Sequence, residues 1–599
     1  MKHLMLAVLS ASLFACAETP KAERGTEIPY GLWVWSAEAS GNEMKLVVER
    51  TSNSWRAALN DAPAVVFQDA DEIVIAGPAK QEFRGKLSGD DSSITGYWLQ
   101  PMTNLGYSDM ITKVSLEPDG TSVWSASFTE QKRPFHIFLE VFEDEAGTPK
   151  AVIRNPERNE IMAAAFDVAA DENGDLVLTA GDGEWQLRQS LKQTGPDRLS
   201  LEHNWFDNRV TLRPASPEDT VSYFSRAQSK ASSEYTWPEQ LDDGWAVASA
   251  DTESYDWERF NALVSELAAT DPKSRRPNLI HSLLVAHEGK LVVEEYFNGY
   301  SRETPHDTRS LAKVFGPVLM GAMRQSGVPI DPAERPIEGI LAAAGETPDD
   351  PRKRDITLHQ LMTYSSGLDC DASSGASAGN EDNMWSQTEE PDFWRYIARV
   401  DQLHTPGTRY AYCSGSINMV ASALTERSGL PLYEAFDIYI AKPLQFGTYH
   451  WNLAPNGQGY MGGGVYMRPR DILKIGAMYL NDGVWNGQQI TSPEWIETST
   501  SPKIDISPET TGLTQDEFSN NYFGGQQAYV WRVDSVTSGG KTYDSYEATG
   551  NGGQILLIVP ELDLSVVFTG GNYRWGSIWG RWRNDIVGRH VIPALNLDG

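Results

Sequence analysis

Ser310 and Lys313 stand three residues apart in Thr308-Arg309-Ser310-Leu311-Ala312-Lys313, a segment whose pattern opens a helix. Residues three apart on a helix share a face, so this spacing brings the lysine amine toward the serine hydroxyl. A serine hydroxyl is a poor nucleophile at neutral pH, and an adjacent amine kept neutral by partial burial and nearby cations can accept its proton. At a helix N-terminus the backbone N–H of Ser310 is also free to point at a developing oxyanion. Chance alone gives about one or two Ser-x-x-Lys matches in a chain of this length. A second match, Ser538-Gly539-Gly540-Lys541, carries paired glycines that mark a turn, where the two side chains need not converge. Taken in isolation, Ser310 reads either as a nucleophile or as a helix cap.

Further segments in order decide between these readings. Pro406 to Gly415 contains Tyr410-Ala411-Tyr412-Cys413-Ser414, which offers a phenol and a short polar side chain from a loop. Leu361-Met362-Thr363-Tyr364-Ser365-Ser366-Gly367-Leu368 precedes it. Gly462-Gly463-Gly464 leading to Arg468-Pro469-Arg470-Asp471, and Gly550-Asn551-Gly552-Gly553-Gln554 before an apolar strand, follow it. In order and spacing, from about Asp243 to Val591, these segments resemble the class C β-lactamase-like superfamily of serine hydrolases, which includes penicillin-binding proteins and related esterases.

The resemblance implies Ser310 as nucleophile, Lys313 as its proton acceptor and Tyr412 as the general base or acid that relays protons to the leaving group. It makes Ser414, third in the Tyr-x-Ser triplet, a partner of Lys313 or of substrate. Tyr410 lies outside the triplet and is read as packing beside the site. The family's Lys-Thr-Gly or His-x-Gly triplet on the inner strand corresponds to Ala548-Thr549-Gly550. Thr549 offers a hydroxyl, Gly550 lets substrate approach the backbone closely, and the N–H of Asn551 is the second oxyanion donor. The cation at the first position is missing. Lys541-Thr542-Tyr543 is a decoy, because Tyr543 fills the space that glycine leaves open; Lys541 or Arg574 reaching in from outside the triplet would restore the charge. One turn past Lys313, Pro317 has no N–H to bond the lysine carbonyl and should kink the helix.

The elements that must position these residues fall into two unlike halves. From Ile28 to about Pro214, short alternating runs broken by Gly, Asp and Asn give an all-β signature. Asp71 to Gly77, followed by Phe83 and Tyr97-Trp98, recurs as Asp175 to Gly181, followed by Trp185 and Asn204-Trp205, which suggests an internal repeat. Gly31-Leu32-Trp33 resembles the opening of lipocalin-like barrels. The expected organisation is two β units of barrel or sandwich type, 28–115 and 116–214, then a polar linker over 215–249. The hydrolase domain follows over 250–599. In it, an amphipathic helix carries Phe260, Leu263 and Leu267, and a hairpin over Leu283 to Phe297 turns at Glu288-Gly289. Strands at both ends of a helical middle predict one antiparallel sheet, flanked by helices, whose pieces meet across a helical insertion. The fold class is therefore multidomain, all-β followed by α/β.

Lys2 and His3 precede a largely apolar run from Leu4 to Ala15, too short to span a bilayer but suited to a signal peptide. Leu13-Phe14-Ala15-Cys16 resembles the bacterial lipobox, with Phe14 unusual there and cleavage near Ala17 the alternative. This gives a lipoprotein signal over 1–15, a tether over 16–27, lipidation at Cys16 and an envelope or periplasmic location. Cys370 and Cys413 then remain as an even pair in a compartment that permits a disulfide. The 599 residues carry a formal charge of −32, which repels phosphate backbones and argues against nucleic-acid binding. Ten histidines form no His-x-x-x-His or His-Glu-x-x-His pattern, so no metal is expected; no phosphate loop precedes Lys-Ser or Lys-Thr, so no cofactor is expected either. The reading is an exported serine hydrolase of a small ester, amide or peptide. Its alternatives are a peptidoglycan D,D-carboxypeptidase or β-lactamase, and a non-catalytic envelope binding protein.

Overall fold

The computed structural model describes residues 28–595 except 38–40, 53, 102–107, 160–164, 173–174, 182–185, 203–208, 227–233 and 250–254. Cys16, the signal segment and the tether lie outside the described residues, as do Trp185, Asn204 and Trp205 of the repeat.

The alternating runs close into two antiparallel barrels. Strands from Glu43–Arg50 to Val123–Thr129 form one ring, completed where Met110–Pro118 pairs with Val123–Thr129. The other ring begins with Gly31–Ala37, which pairs with Phe135–Glu143 on one edge and Arg209–Pro214 on the other. Period-two burial fills both interiors: Met44, Leu46 and Val48 point into the first, Leu199 and Leu201 into the second. The repeated segments are the strands Glu72–Ala76 and Leu176–Ala180, each fourth in the run that starts at Glu43 or Phe135. The expected boundary at 115/116 is corrected, because it falls inside Met110–Pro118, and the first barrel is inserted after the first strand of the second. Alternation specifies which face of a strand is buried but not which distant strand closes the ring.

The carboxyl-terminal half holds a nine-stranded sheet in the order Ala246–Val247, Lys290–Tyr296, Ile280–His287, Leu564–Gly570, Gln554–Val559, Lys541–Gly550, Arg532–Ser538, Gly525–Gln527, Ile504–Ile506. It is antiparallel except for the first pair. Ile280–His287 and Leu564–Gly570 are buried on both faces and pair directly, so the two ends of the domain meet across the helical middle. The 280–296 hairpin turns on Glu288 and Gly289 at φ 49° and 70°, the left-handed pair that a two-residue connection demands. One sheet face packs on the helix Trp257–Ala268, capped by Asp256, and on the helical segments after Ser577. The other packs on the helices Phe315–Gln325, Ser414–Ser428 and Pro469–Leu480.

The end of the expected linker belongs to this domain. Trp245 is buried and donates to the Arg470 carbonyl, Asp243 and Glu294 each pair with Arg470 at 2.6 Å, and Ala246–Val247 joins the sheet. The barrels are joined to the carboxyl-terminal domain as well. Strands His306–Asp307, Tyr466–Met467 and His450–Asn452 continue the first barrel's sheet from Met110–Pro118. Thr112 and His450 side chains meet at 2.6 Å, and Lys113 pairs with Asp437 at 2.6 Å. From the second barrel, Arg154 donates to the carbonyls of Pro272 and Ser274, both at 2.6 Å.

Candidate active site

The continuous sheet ends at Asp307, and the chain then turns through a 3-10 segment, Arg309–Val314, into the α-helix Phe315–Gln325. Side chains three apart eclipse on a 3-10 turn, which sets Lys313 directly over Ser310. The lysine Nζ lies 2.8 Å from the Ser310 Oγ and also donates to the Gly462 carbonyl. Arg309 adopts φ +47°, a strained conformation for a non-glycine residue, immediately before the serine. Neighbouring bonds hold it there: Thr308 donates to Val465 O from both N (3.0 Å) and Oγ1 (2.6 Å), and Arg309 N donates to Asp307 Oδ1 at 2.9 Å. The kink expected at Pro317 is replaced by the change from 3-10 to α geometry. Pro317 falls in the first α-turn, where its missing N–H costs little, and its carbonyl accepts from Trp495 Nε1 at 2.9 Å.

Tyr412 faces this pair, with Lys313 Nζ 5.2 Å from its ring centroid and the Tyr364 ring 4.9 Å away. Its neighbour Cys413 is joined to Cys370 in a disulfide with Cα atoms 5.3 Å apart, tying the tyrosine's loop to the segment after Gly367. Tyr410 is buried, donates to Gln527 Oε1 at 3.4 Å, and has its phenol pKa raised by burial. Ser414 does not meet the Lys313 amine, one of the two partners expected for it. It starts the helix Ser414–Ser428, so the extended parity of the Tyr-x-Ser triplet has already ended, and its Oγ donates to Glu381 Oε2 at 2.9 Å rather than meeting Lys313. Tyr460 donates to the other oxygen of Glu381 at 2.5 Å.

Lys541–Gly550 passes beside the turn that carries Ser310. A Cβ at Gly550 would stand 2.4 Å from the Thr308 carbonyl oxygen, so this glycine serves the approach of strand to turn. Lys541 sits at the far end of the strand, paired with Glu561 at 2.6 Å, and brings no charge to Ala548. Arg574 donates its backbone N–H to Asn551 Oδ1 at 2.9 Å.

Two cavities meet at Ser310 and Asn551. The larger, about 1010 Å³, is lined by Tyr412, Ala548, Thr549, Gly550, Trp575 and Trp579 among others. The smaller, about 310 Å³, is polar and includes Arg133, Asp307, Arg309, Glu381 and Arg574. Burial raises the Asp307 carboxyl pKa, but the guanidiniums of Arg309 and Arg158 outweigh it and hold the pKa below the ordinary range. The structure thus gathers Ser310, Lys313, Tyr412, Thr549, Gly550 and Asn551, while Ser414 is buried and bonded to Glu381. Sequence reasoning missed Arg133, Asp307 and Glu381. Asp307 stood three residues before the serine and could have been noticed; Arg133 and Glu381 carried no local signal.

A family model described as Beta-lactamase matches residues 261–570. Among curated proteins, the 6-aminohexanoate-dimer hydrolase of Paenarthrobacter ureafaciens is 22% identical over 312 residues, 52% of this chain and 76% of that protein. The D-alanyl-D-alanine-carboxypeptidase/endopeptidase AmpH of Escherichia coli strain K12 is 27% identical over 144 residues, 21% of this chain and 37% of that protein. Among solved structures, a penicillin-binding protein homolog from Caulobacter crescentus shares 12% identity at a TM-score of 0.39, covering 52% of this chain and 92% of that one.

Proposed function

Because the chain belongs to the Beta-lactamase family of serine hydrolases, we propose that it cleaves an ester or amide through an acyl-enzyme on Ser310. The observation that carries this reading is the Lys313 amine 2.8 Å from the Ser310 hydroxyl, where two cavities meet. In this reading Ser310 Oγ attacks the substrate carbonyl carbon while its proton passes to Lys313. The N–H groups of Ser310 and Asn551 stabilise the tetrahedral oxyanion. Collapse breaks the bond to the leaving group, which takes a proton relayed by Tyr412, and water then attacks the acyl carbon along the reverse proton path. No bound cofactor enters any step. The likeness to a 6-aminohexanoate-dimer hydrolase supports amides as substrates. We place the protein in the cell envelope, lipid-anchored at Cys16, a location supported by the Cys370–Cys413 disulfide.

Ala548 bears on substrate class. A charge-assisted hydrogen bond from that position would contribute about 1.5–3 kcal/mol, about ten- to a hundredfold in rate if expressed in the transition state. Without it, short-chain esters and simple amides, which need no cation on that strand, should be turned over better than penicillins. The test is to expose the purified protein to a fluorophosphonate probe and a fluorescent penicillin and map the adduct by mass spectrometry. Ser310→Ala should abolish the adduct and change folding stability by only about 1 kcal/mol. An adduct surviving in that variant would show that the nucleophile lies elsewhere. Release of D-alanine from a D-alanyl-D-alanine peptide faster than ester turnover would move the assignment to a carboxypeptidase.

A further inference from the structure

The smaller cavity at Ser310 is walled in part by the amino-terminal half of the chain. Arg133, on the short connection between Val123–Thr129 and Phe135–Glu143, lines it together with Ser310, Asn452 and Asn551. That connection is pinned in place. Gln131 N donates to Gln100 Oε1 at 2.9 Å, and Gln100 Nε2 donates back to Gln131 O at 3.1 Å. Gln100 closes the strand Ile94–Gln100, which pairs with the strand that continues into the hydrolase. The position of Arg133 relative to Ser310 is therefore set by the sheet the two halves share.

Arg133 is 7% exposed. Its guanidinium lies 5.7 Å from the Tyr466 ring centroid, and its one hydrogen bond among the described residues runs from Nη2 to the Ser108 carbonyl at 3.4 Å. Its Nε is buried with no hydrogen-bond partner, and so is the Asn452 Oδ1 in the same cavity. A guanidinium carries five N–H donors in a planar fork that matches the two oxygens of a carboxylate.

Of the three acidic groups that line the cavity, Asp307 and Glu381 are already committed. Asp307 is paired with Arg309 at 3.0 Å and accepts its backbone N–H. Glu381 accepts from Ser414 and Tyr460 on its two oxygens, and Asp382 is exposed. Among the described residues, none of the ion pairs includes Arg133. It is a buried cation with donors to spare that lines the same cavity as the reacting serine, the cavity that does not contain Ala548.

We infer that Arg133 recognises a carboxylate on the substrate, so that the amino-terminal barrels supply a specificity determinant of the hydrolase. The inference rests on the reading of Ser310 as nucleophile. It places the charge-reading group on the connection between the barrels rather than on the strand that carries Ala548.

The experiment uses the full chain and two matched substrate pairs. Mono-p-nitrophenyl adipate against p-nitrophenyl hexanoate places a carboxylate on the acyl side. 4-Carboxyphenyl butyrate against 4-carbamoylphenyl butyrate places it on the leaving group. Wild type should prefer the carboxylated member of one pair by about tenfold or more in kcat/KM, expressed mainly in KM. Arg133→Gln should lower that preference about tenfold, and Arg133→Lys should retain part of it. Equal kcat/KM within both pairs for wild type would overturn the inference without recourse to any variant. A preference that persists in Arg133→Gln would overturn it as well, and Arg133→Lys against wild type carries the comparison if the glutamine variant does not fold. Fluorophosphonate labelling separates the two readings. Esterase activity with Ser310 unlabelled would reject the nucleophile, whereas labelled Ser310 with no carboxylate preference would reject Arg133 alone.

Discussion

Gly550→Ala adds one methyl group where the strand Lys541–Gly550 passes the turn that carries Ser310. An ideal Cβ there would stand 2.4 Å from the Thr308 carbonyl oxygen, 3.0 Å from the Gln554 Cβ and 3.1 Å from the Arg309 Cβ. The nearest obstacle is backbone, which cannot swing aside as the end of a long side chain can, so strand and turn must part by about half an ångström or more. Gly550 is not among the positive-φ glycines, so the effect of the methyl is steric rather than conformational. The Thr308 oxygen accepts from Leu311 N at 3.1 Å, which passes any shift into the turn that carries Ser310 and Lys313. A misplacement of about 1 Å costs about a hundredfold in rate, and a smaller shift here should cost about ten- to a hundredfold in kcat/KM. Overpacking should cost about 1–3 kcal/mol of stability. The assays are p-nitrophenyl butyrate hydrolysis, the rate of fluorophosphonate labelling and urea denaturation. Gly339→Ala is the control, because its added Cβ meets nothing within 4 Å in the helix Pro336–Ala342. It should keep full activity and gain about 0.5–1 kcal/mol. Gly550→Ala with activity within about twofold of wild type and an unchanged urea midpoint would refute the reasoning.

Replacing Cys370 and Cys413 together by serine opens a loop of sequence separation 43, which should cost about 4 kcal/mol in the chain-entropy model; an unchanged denaturation midpoint would contradict this. Stability should also fall on acidification. Burial, then the nearby Arg133, pushes His450 from its ordinary value near 6.5 down to about 3, and burial takes His306 to about 4. As pH falls below 6.5 the unfolded chain binds protons that these folded imidazoles refuse. Each should therefore remove about 2 kcal/mol between pH 6.5 and 4.5, and the loss should fade as pH rises above 6.5. His450→Gln should flatten the dependence of the urea midpoint on pH over that window; an unaltered slope would show that His450 does not contribute.

The local features of the fold were legible because local physics produces them. Period-two runs became barrel strands, Glu288-Gly289 became a tight hairpin, and Ser538-Gly539-Gly540-Lys541 became a turn rather than a second site. The spacing of Ser310 and Lys313 predicted their contact, although the turn that makes it is 3-10 rather than α. Ser414 was misplaced for a related reason: its partner depends on where an extended segment becomes a helix, and that boundary is one residue earlier than the triplet suggests.

By itself the sequence determined the all-β half and the α/β half, which are matters of residue type and short-range periodicity. The order of the chemistry-bearing segments, and the reading of Ala548 as the place of a missing cation, came from its resemblance to the serine hydrolases. Only the tertiary structure decided that Gly31–Ala37 closes a barrel with Phe135–Glu143 and Arg209–Pro214, that this half shares a sheet with the hydrolase, and that Arg133 lines the same cavity as Ser310. Those outcomes depend on pairings between distant strands. Backbone hydrogen bonds look alike in every strand, so the choice of partner falls to packing over the whole molecule.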